Sequence, residues 1–365
     1  MVTWRIFLRG AAVLALAASF LELCAPGVRA AAPPTKIKVG FCARTISSAA
    51  SPFAIATKLG WFAQEGIAVD LVPIPGSTEC VRNVATKEVD FSLPSVEPLA
   101  IARPQGLKGK FFYTAYQGNI YGIAVPAESA IQKIADLKGK SIGVISMGSG
   151  GVIIARAVAA SAGMDPDKDI KIVVAGEGAR PAALLQNKQV DALSQFDTQY
   201  AMIENAGVRL RILDTKEIDR YPSNGFLALE ENLTGRRKEA IGLGRGYAKG
   251  TIFAINNPEV AARILYEVYP QTKPTGKDEE TAVRDDAKVL LARAKNWALE
   301  KAGVKRWGEN SEANYAAYAE FMLKWGIIKQ RVDVKDLVTN EFIEEINTFD
   351  AAAIAAQAKA YKHSK

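Results

Sequence analysis

The residue types that carry most proton-transfer and metal chemistry are scarce in this chain. Its 365 residues include one histidine, His363, and three cysteines, Cys24, Cys42 and Cys80. Imidazole is the side chain that titrates near neutral pH and a principal zinc ligand, so a lone histidine among the last residues leaves histidine-based acid–base catalysis and His-ligated metal without material. No Gly-x-Ser-x-Gly elbow, His-Glu pair or His/Cys cluster occurs, and Glu–Glu or Ser–Lys chemistry has no supporting motif. Hydroxyls, glycines and a few charges are present instead. The run Ser146-Met147-Gly148-Ser149-Gly150-Gly151 precedes a helical pattern. Free N–H groups and hydroxyls at such a helix start hold an anion or a carbonyl, and the same residues also serve simply as a cap. No Gly-Lys-Ser/Thr follows, so the run is not a phosphate loop.

Other residues join this chemistry. Arg180 opens the next helical pattern and offers either a bidentate grip on a carboxylate or sulfonate or a surface ion pair with Glu177. Ser77, Thr78 and Ser95 supply hydroxyl and N–H donors, or caps. Glu97 and Asp197 favour a ligand with an amine or N–H donor if they line a cleft, and they also stand where helix starts ordinarily take acids. Tyr116, Tyr121, Phe196, Tyr200 and Tyr221 are available to stack on a planar ligand or to fill the core.

The elements that position these residues alternate regularly. Residues 36–41 read as a strand, Ser51-Pro52 opens a helix carrying Ile55, Leu59 and Phe62, and residues 67–72 form the next strand. A short helix from Ser77 or Thr78 leads to a strand over 89–93. Past Gly118 the pattern restarts: strands over 121–125, 140–145, 170–174, 190–194 and 210–213 are separated by helices, and a further strand spans 224–229. This alternation predicts parallel β–α–β units. Helices follow, with Leu290, Ala294 and Trp297 on one face and Tyr315, Tyr318, Met322 and Trp325 on another. A chain that builds one α/β unit, then a second, then returns predicts two lobes, the second inserted into the first. The boundaries are 31–118 plus 224–365 for the first lobe and 119–223 for the second, with crossings near 118–121 and 221–226. Ligands in such sheets sit beyond the C-terminal strand ends, which selects the loops holding Arg44, Ser77, Thr78, Ser95, Glu97, Ser146, Gly148, Ser149, Gly150, Arg180 and Asp197, with Tyr116, Tyr121, Tyr221 and Asn224 near the crossings.

Residues 1–30 read as a secretory signal: Arg5 and Arg9, an apolar run over 10–23, and Val28-Arg29-Ala30 as the exit. A membrane anchor and a lipidated Cys24 are the alternatives. Removing that segment leaves 43 Lys+Arg against 38 Asp+Glu, a formal charge of +5 in place of +7. Those charges are interspersed, as on a solvated surface, which argues against a nucleic-acid partner. In an oxidising compartment Cys42 and Cys80, both just past predicted strands, either pair or remain as two buried thiols.

One run has a familiar grammar. Residues 54–78, with Gly60, Trp61, Phe62, Glu65, Gly66, Gly76 and Ser77, resemble the opening of periplasmic solute-binding proteins of the nitrate/sulfonate/taurine type, which serve ABC importers. Val89-Asp90-Phe91 before Ser95-Val96-Glu97-Pro98, the segment 136–144, and Gln189-Val190-Asp191-Ala192 extend the likeness over residues 36–260. The resemblance implies an α/β, two-lobed type II periplasmic-binding-protein fold with a hinge of two crossing segments and a helical C-terminal part. It implies a monomer without cofactor that closes on a small organic ligand, anionic or planar, and presents it to an ABC membrane permease from the periplasm. A periplasmic sensor or the receptor of another transporter class would use the same cleft. Pyrimidine-synthesising enzymes similar to this family need His chemistry and a cysteine-rich segment, neither of which this chain has.

Overall fold

The computed structural model describes residues 33–363, apart from the side chain of Lys216; the secretory segment expected over 1–30, with Cys24, lies outside them. Ten strands form two five-stranded sheets. The first sheet holds β1 (Thr35–Phe41), β2 (Ile67–Pro73), β3 (Phe91–Ser92), β4 (Gly109–Thr114) and, from much later in the chain, β10 (Gly225–Leu229), in the order β2-β1-β3-β10-β4. The second holds β5 (Tyr121–Pro126), β6 (Lys140–Val144), β7 (Ile170–Val174), β8 (Ala192–Phe196) and β9 (Leu210–Ile212), in the order β7-β6-β8-β5-β9. The chain passes from the first sheet to the second between β4 and β5, and returns between β9 and β10.

The expectation of all-parallel units holds for only part of each sheet. Strand β1 runs parallel to β2 and β3, and β6 parallel to β7 and β8. The strands that carry the chain across break the rule: β10 is antiparallel to β3 and β4, and β5 is antiparallel to β8 and β9. A strand entering a sheet from its neighbour arrives at the end where the sheet's own parallel strands finish, so it must run against them. Two further corrections are local. Strand β8 begins at Ala192 rather than 190, because Lys188 takes a left-handed turn (φ 54°) and the Asp191 carboxylate is drawn to the Ser141 N–H and hydroxyl at 2.8 and 2.7 Å. Strand β4 had no counterpart among the expected elements.

The sequence explains the helices that hold these strands. Pro52 sits in the first turn of Ser51–Lys58, where its missing N–H costs nothing. That helix packs against the long helix Arg237–Asn256. At Gly250 a Cβ would lie 2.1 Å from the Pro52 carbonyl oxygen, so any side chain there would drive the two helices apart. The core beneath the first sheet is aromatic: Phe53, Phe226 and Tyr247 meet edge-to-face with ring centroids 4.9 to 5.9 Å apart. The second sheet is lined by smaller residues such as Ala124, Ala175 and Leu193. Helix Glu279–Trp297 reaches from the C-terminal part to pack on Asp197–Asn205 of the second sheet, with Asn205 Nδ2 donating to the Asp285 carbonyl at 3.0 Å. Among the described residues no helix is long and apolar enough to cross a membrane.

Candidate functional site

The C-terminal ends of β1 and β3, the two crossing segments and the facing edge of the second sheet converge on one cavity of about 30 Å³. Phe41, Cys42 and Leu93 contribute from the first sheet, Tyr116, Ile120 and Asn224 from the crossings, and Tyr121 and Phe196 from the second sheet. Arg293, from helix Glu279–Trp297, completes the wall. Three of the five aromatic residues singled out for stacking are therefore together. The other two are core: Tyr221 stacks on Tyr318 with centroids 4.7 Å apart, and the Tyr200 hydroxyl donates to the Gly122 carbonyl at 2.7 Å.

Arg293 is the residue that sequence reasoning missed. It is 1% exposed. Its Nε donates to both Asp197 oxygens at 2.8 and 3.0 Å, and its Nη2 lies 2.6 Å from Oδ1. Asn296 Nδ2 adds a bond to Oδ2 at 2.7 Å. The guanidinium stands 4.0 Å from the Tyr116 ring centroid and 5.9 Å from that of Phe196. Burial opposes its charge, but the Asp197 carboxylate, together with Tyr116 and Tyr247, holds the guanidinium pKa above its ordinary value. A signal did exist. Arg293 falls three residues after Leu290 and four before Trp297, on the apolar face already identified, and a cation there requires an anion opposite. The Asp197 expected to greet a ligand amine is instead occupied by this pair.

Three further hydrogen bonds join the loops of the two sheets. Ser146 Oγ donates to the Pro75 carbonyl at 2.8 Å, and the Thr78 N–H donates to the Gly148 carbonyl at 3.1 Å. The Arg44 N–H donates to Glu177 Oε1 at 2.9 Å, so Glu177 is not the partner of Arg180. A Cβ on Gly150 would meet Ser95 Oγ at 2.8 Å and the Tyr121 hydroxyl at 2.9 Å, which measures how tightly the seam is packed there. Arg180 itself is exposed and makes no ion pair among the described residues. Asn224 is anchored by Nδ2 to the Leu93 carbonyl at 2.8 Å, and its own carbonyl accepts from Ala115 and Tyr116.

Beside Tyr121 lies a buried polar group that is only partly satisfied. Ser77 Oγ accepts the Ser95 N–H at 3.0 Å. Ser95 Oγ interacts with the Glu97 carboxyl and the Tyr121 hydroxyl, and Ser149 Oγ is buried without a partner. Glu97 is 2% exposed, accepts the Tyr318 hydroxyl at Oε1 and leaves Oε2 unpaired. Burial, against the hydrogen bonds it accepts, raises its pKa above the ordinary carboxyl value. Cys42 and Cys80 are joined in a disulfide with Cα atoms 5.8 Å apart, tying the loop after β1 to helix Ser77–Ala85. Among the described residues no group of three or more His, Cys, Asp or Glu is placed to hold a metal.

Comparison with known proteins places this geometry. Residues 48–261 match the model of a family described as NMT1/THI5 like. The riboflavin-binding protein RibY of Chloroflexus aurantiacus is 23% identical over 80% of this chain and 82% of its own. The alkanesulfonate-binding protein SsuA of Xanthomonas axonopodis pv. citri, solved with MOPS bound, superposes with a TM-score of 0.62 at 19% identity, covering 85% of this chain and 99% of SsuA. The periplasmic nitrate-binding protein NrtA of Synechocystis PCC 6803 gives 0.61 at 15% identity, covering 90% and 99%. The fold is that of the periplasmic binding proteins.

Proposed function

The chain belongs to the NMT1/THI5-like family, and on that premise we propose that it is an extracytoplasmic solute-binding receptor. In this reading residues 31–118 plus 224–365 and residues 119–223 are two lobes that close on a small organic molecule and deliver it to an ABC import permease. The receptor acts as a monomer in the periplasm and leaves its solute chemically unchanged. The observation that carries the reading is the cavity where both sheets and both crossing segments meet. Its walls come from each side of the seam, and the loops around it are hydrogen-bonded across that seam by Ser146, Gly148, Thr78 and Arg44. A space of about 30 Å³ admits a water or two, so a solute enters only when the sheets part at the crossings. Closure then reports occupancy, because the solute contacts both sides only in the closed form. The residues assigned to the site are Tyr116, Tyr121, Phe196 and Asn224 at the wall, with Ser77, Ser95, Ser149 and Gly150 behind Tyr121.

The test is to denature the purified protein, identify any molecule released, and measure X-ray scattering of the stripped protein with and without that molecule. The expected result is a released solute whose return compacts the protein and raises its melting temperature by mass action. A protein that releases nothing, and whose radius of gyration and melting temperature respond to no solute, refutes the receptor reading.

A further inference from the structure

Resting on the receptor reading, we infer that the solute is an uncharged, planar ring and that the Asp197–Arg293 pair excludes anions from the site. Among the described lining residues Arg293 is the sole cation, and it is committed to Asp197 through Nε and Nη2. Asn296 Nδ2 also donates to Asp197 Oδ2. The buried pair is thus internally neutral. A sulfonate or nitrate seated against Arg293 would place two anions on one cation in a dehydrated space, which leaves a net buried negative charge. Glu97, buried and without a cation partner, makes the same neighbourhood less hospitable to a second anion. Arg180, the exposed cation, is not among the lining residues.

The walls favour a flat apolar body. Phe41, Tyr116, Tyr121 and Phe196 all line the cavity, and Tyr121 meets Phe196 edge-on at 82°. The guanidinium stands 4.0 Å from the Tyr116 ring centroid, a contact that holds that ring in place. Ser47 and Asn224 also line the cavity and are the neutral polar side chains that the rim of a heterocycle would meet.

The experiment is calorimetric titration of the protein, stripped of bound solute, with two uncharged rings, lumichrome and uracil, and two anions, ethanesulfonate and nitrate. The wild type is expected to bind at least one ring tenfold or more tightly than either anion. Asp197→Asn frees Arg293 and is expected to raise anion affinity at least tenfold. The double variant Asp197→Asn/Arg293→Gln removes both charges and is expected to lack the anion gain. It also serves if the single variant does not fold. An anion bound more tightly than both rings by the wild type, no gain in anion affinity in Asp197→Asn, or an anionic molecule released on denaturation overturns the inference while leaving the receptor reading intact. Binding of neither class, together with no released molecule, overturns both.

Discussion

Replacing Cys42 and Cys80 together by alanine tests how the first-sheet side of the site is held. The two residues are 38 apart in sequence. In the chain-entropy treatment, opening a loop of that length returns about 13 cal/mol/K to the unfolded chain, or about 4 kcal/mol at 25 °C. With an unfolding entropy of about 2.1 cal/mol/K per residue over the folded part, that loss lowers the melting temperature by about 6 °C. The cost is expected on the unfolded side, because neither alanine strands a polar group: Cys80 is fully buried among apolar neighbours and Cys42 is half-buried. The assay is equilibrium unfolding in urea of wild type, double variant, and wild type under reductant, read by tryptophan fluorescence. Reduced wild type and double variant should fall together. Thiol titration of the denatured, unreduced wild type should find no reactive thiol from this pair. A loss below about 1 kcal/mol, or two free thiols per folded chain, would refute the crosslink as a constraint on the chain.

Two other perturbations probe the seam. Gly76→Ala places a Cβ 2.6 Å from the Gly148 carbonyl oxygen at a residue with φ 119°, so the Thr78–Gly148 and Ser146–Pro75 hydrogen bonds must give way. The variant should lose about 1–3 kcal/mol in urea unfolding, and an unchanged midpoint would count against this packing. Glu97→Gln addresses the buried carboxyl. Its pKa is raised in the folded state by burial, so the stability it contributes is fully present below its unfolded-state value, about 4.3, and is lost as pH rises through the folded value. The amide variant lacks that loss and should gain on the wild type between pH 4 and pH 7. An equal difference at both pH values would show that Glu97 does not titrate as argued.

Much of this organisation is legible in the sequence because it is local. The alternation of 36–41, the Ser51-Pro52 start and the Ser/Gly run at 146–151 each report how a short segment buries one face or begins a helix, and the structure places strands and helices there. The return of the chain to its first sheet follows from element order alone. Strand β4 escaped because its Phe111, Phe112 and Tyr113 are all buried, and an unbroken apolar run carries no period to distinguish strand from helix. The antiparallel entry of β5 and β10 depends on the end of the sheet at which each strand arrives, which no local pattern encodes. The same holds for the site. Its hydroxyls and aromatics could be named from strand ends, whereas Arg293 and Asp197 lie 96 residues apart and each looks, alone, like an ordinary helix charge. Periodicity records that a residue is buried; only the folded chain determines what it is buried against, and here that partner decides whether the cavity wall carries an unpaired charge.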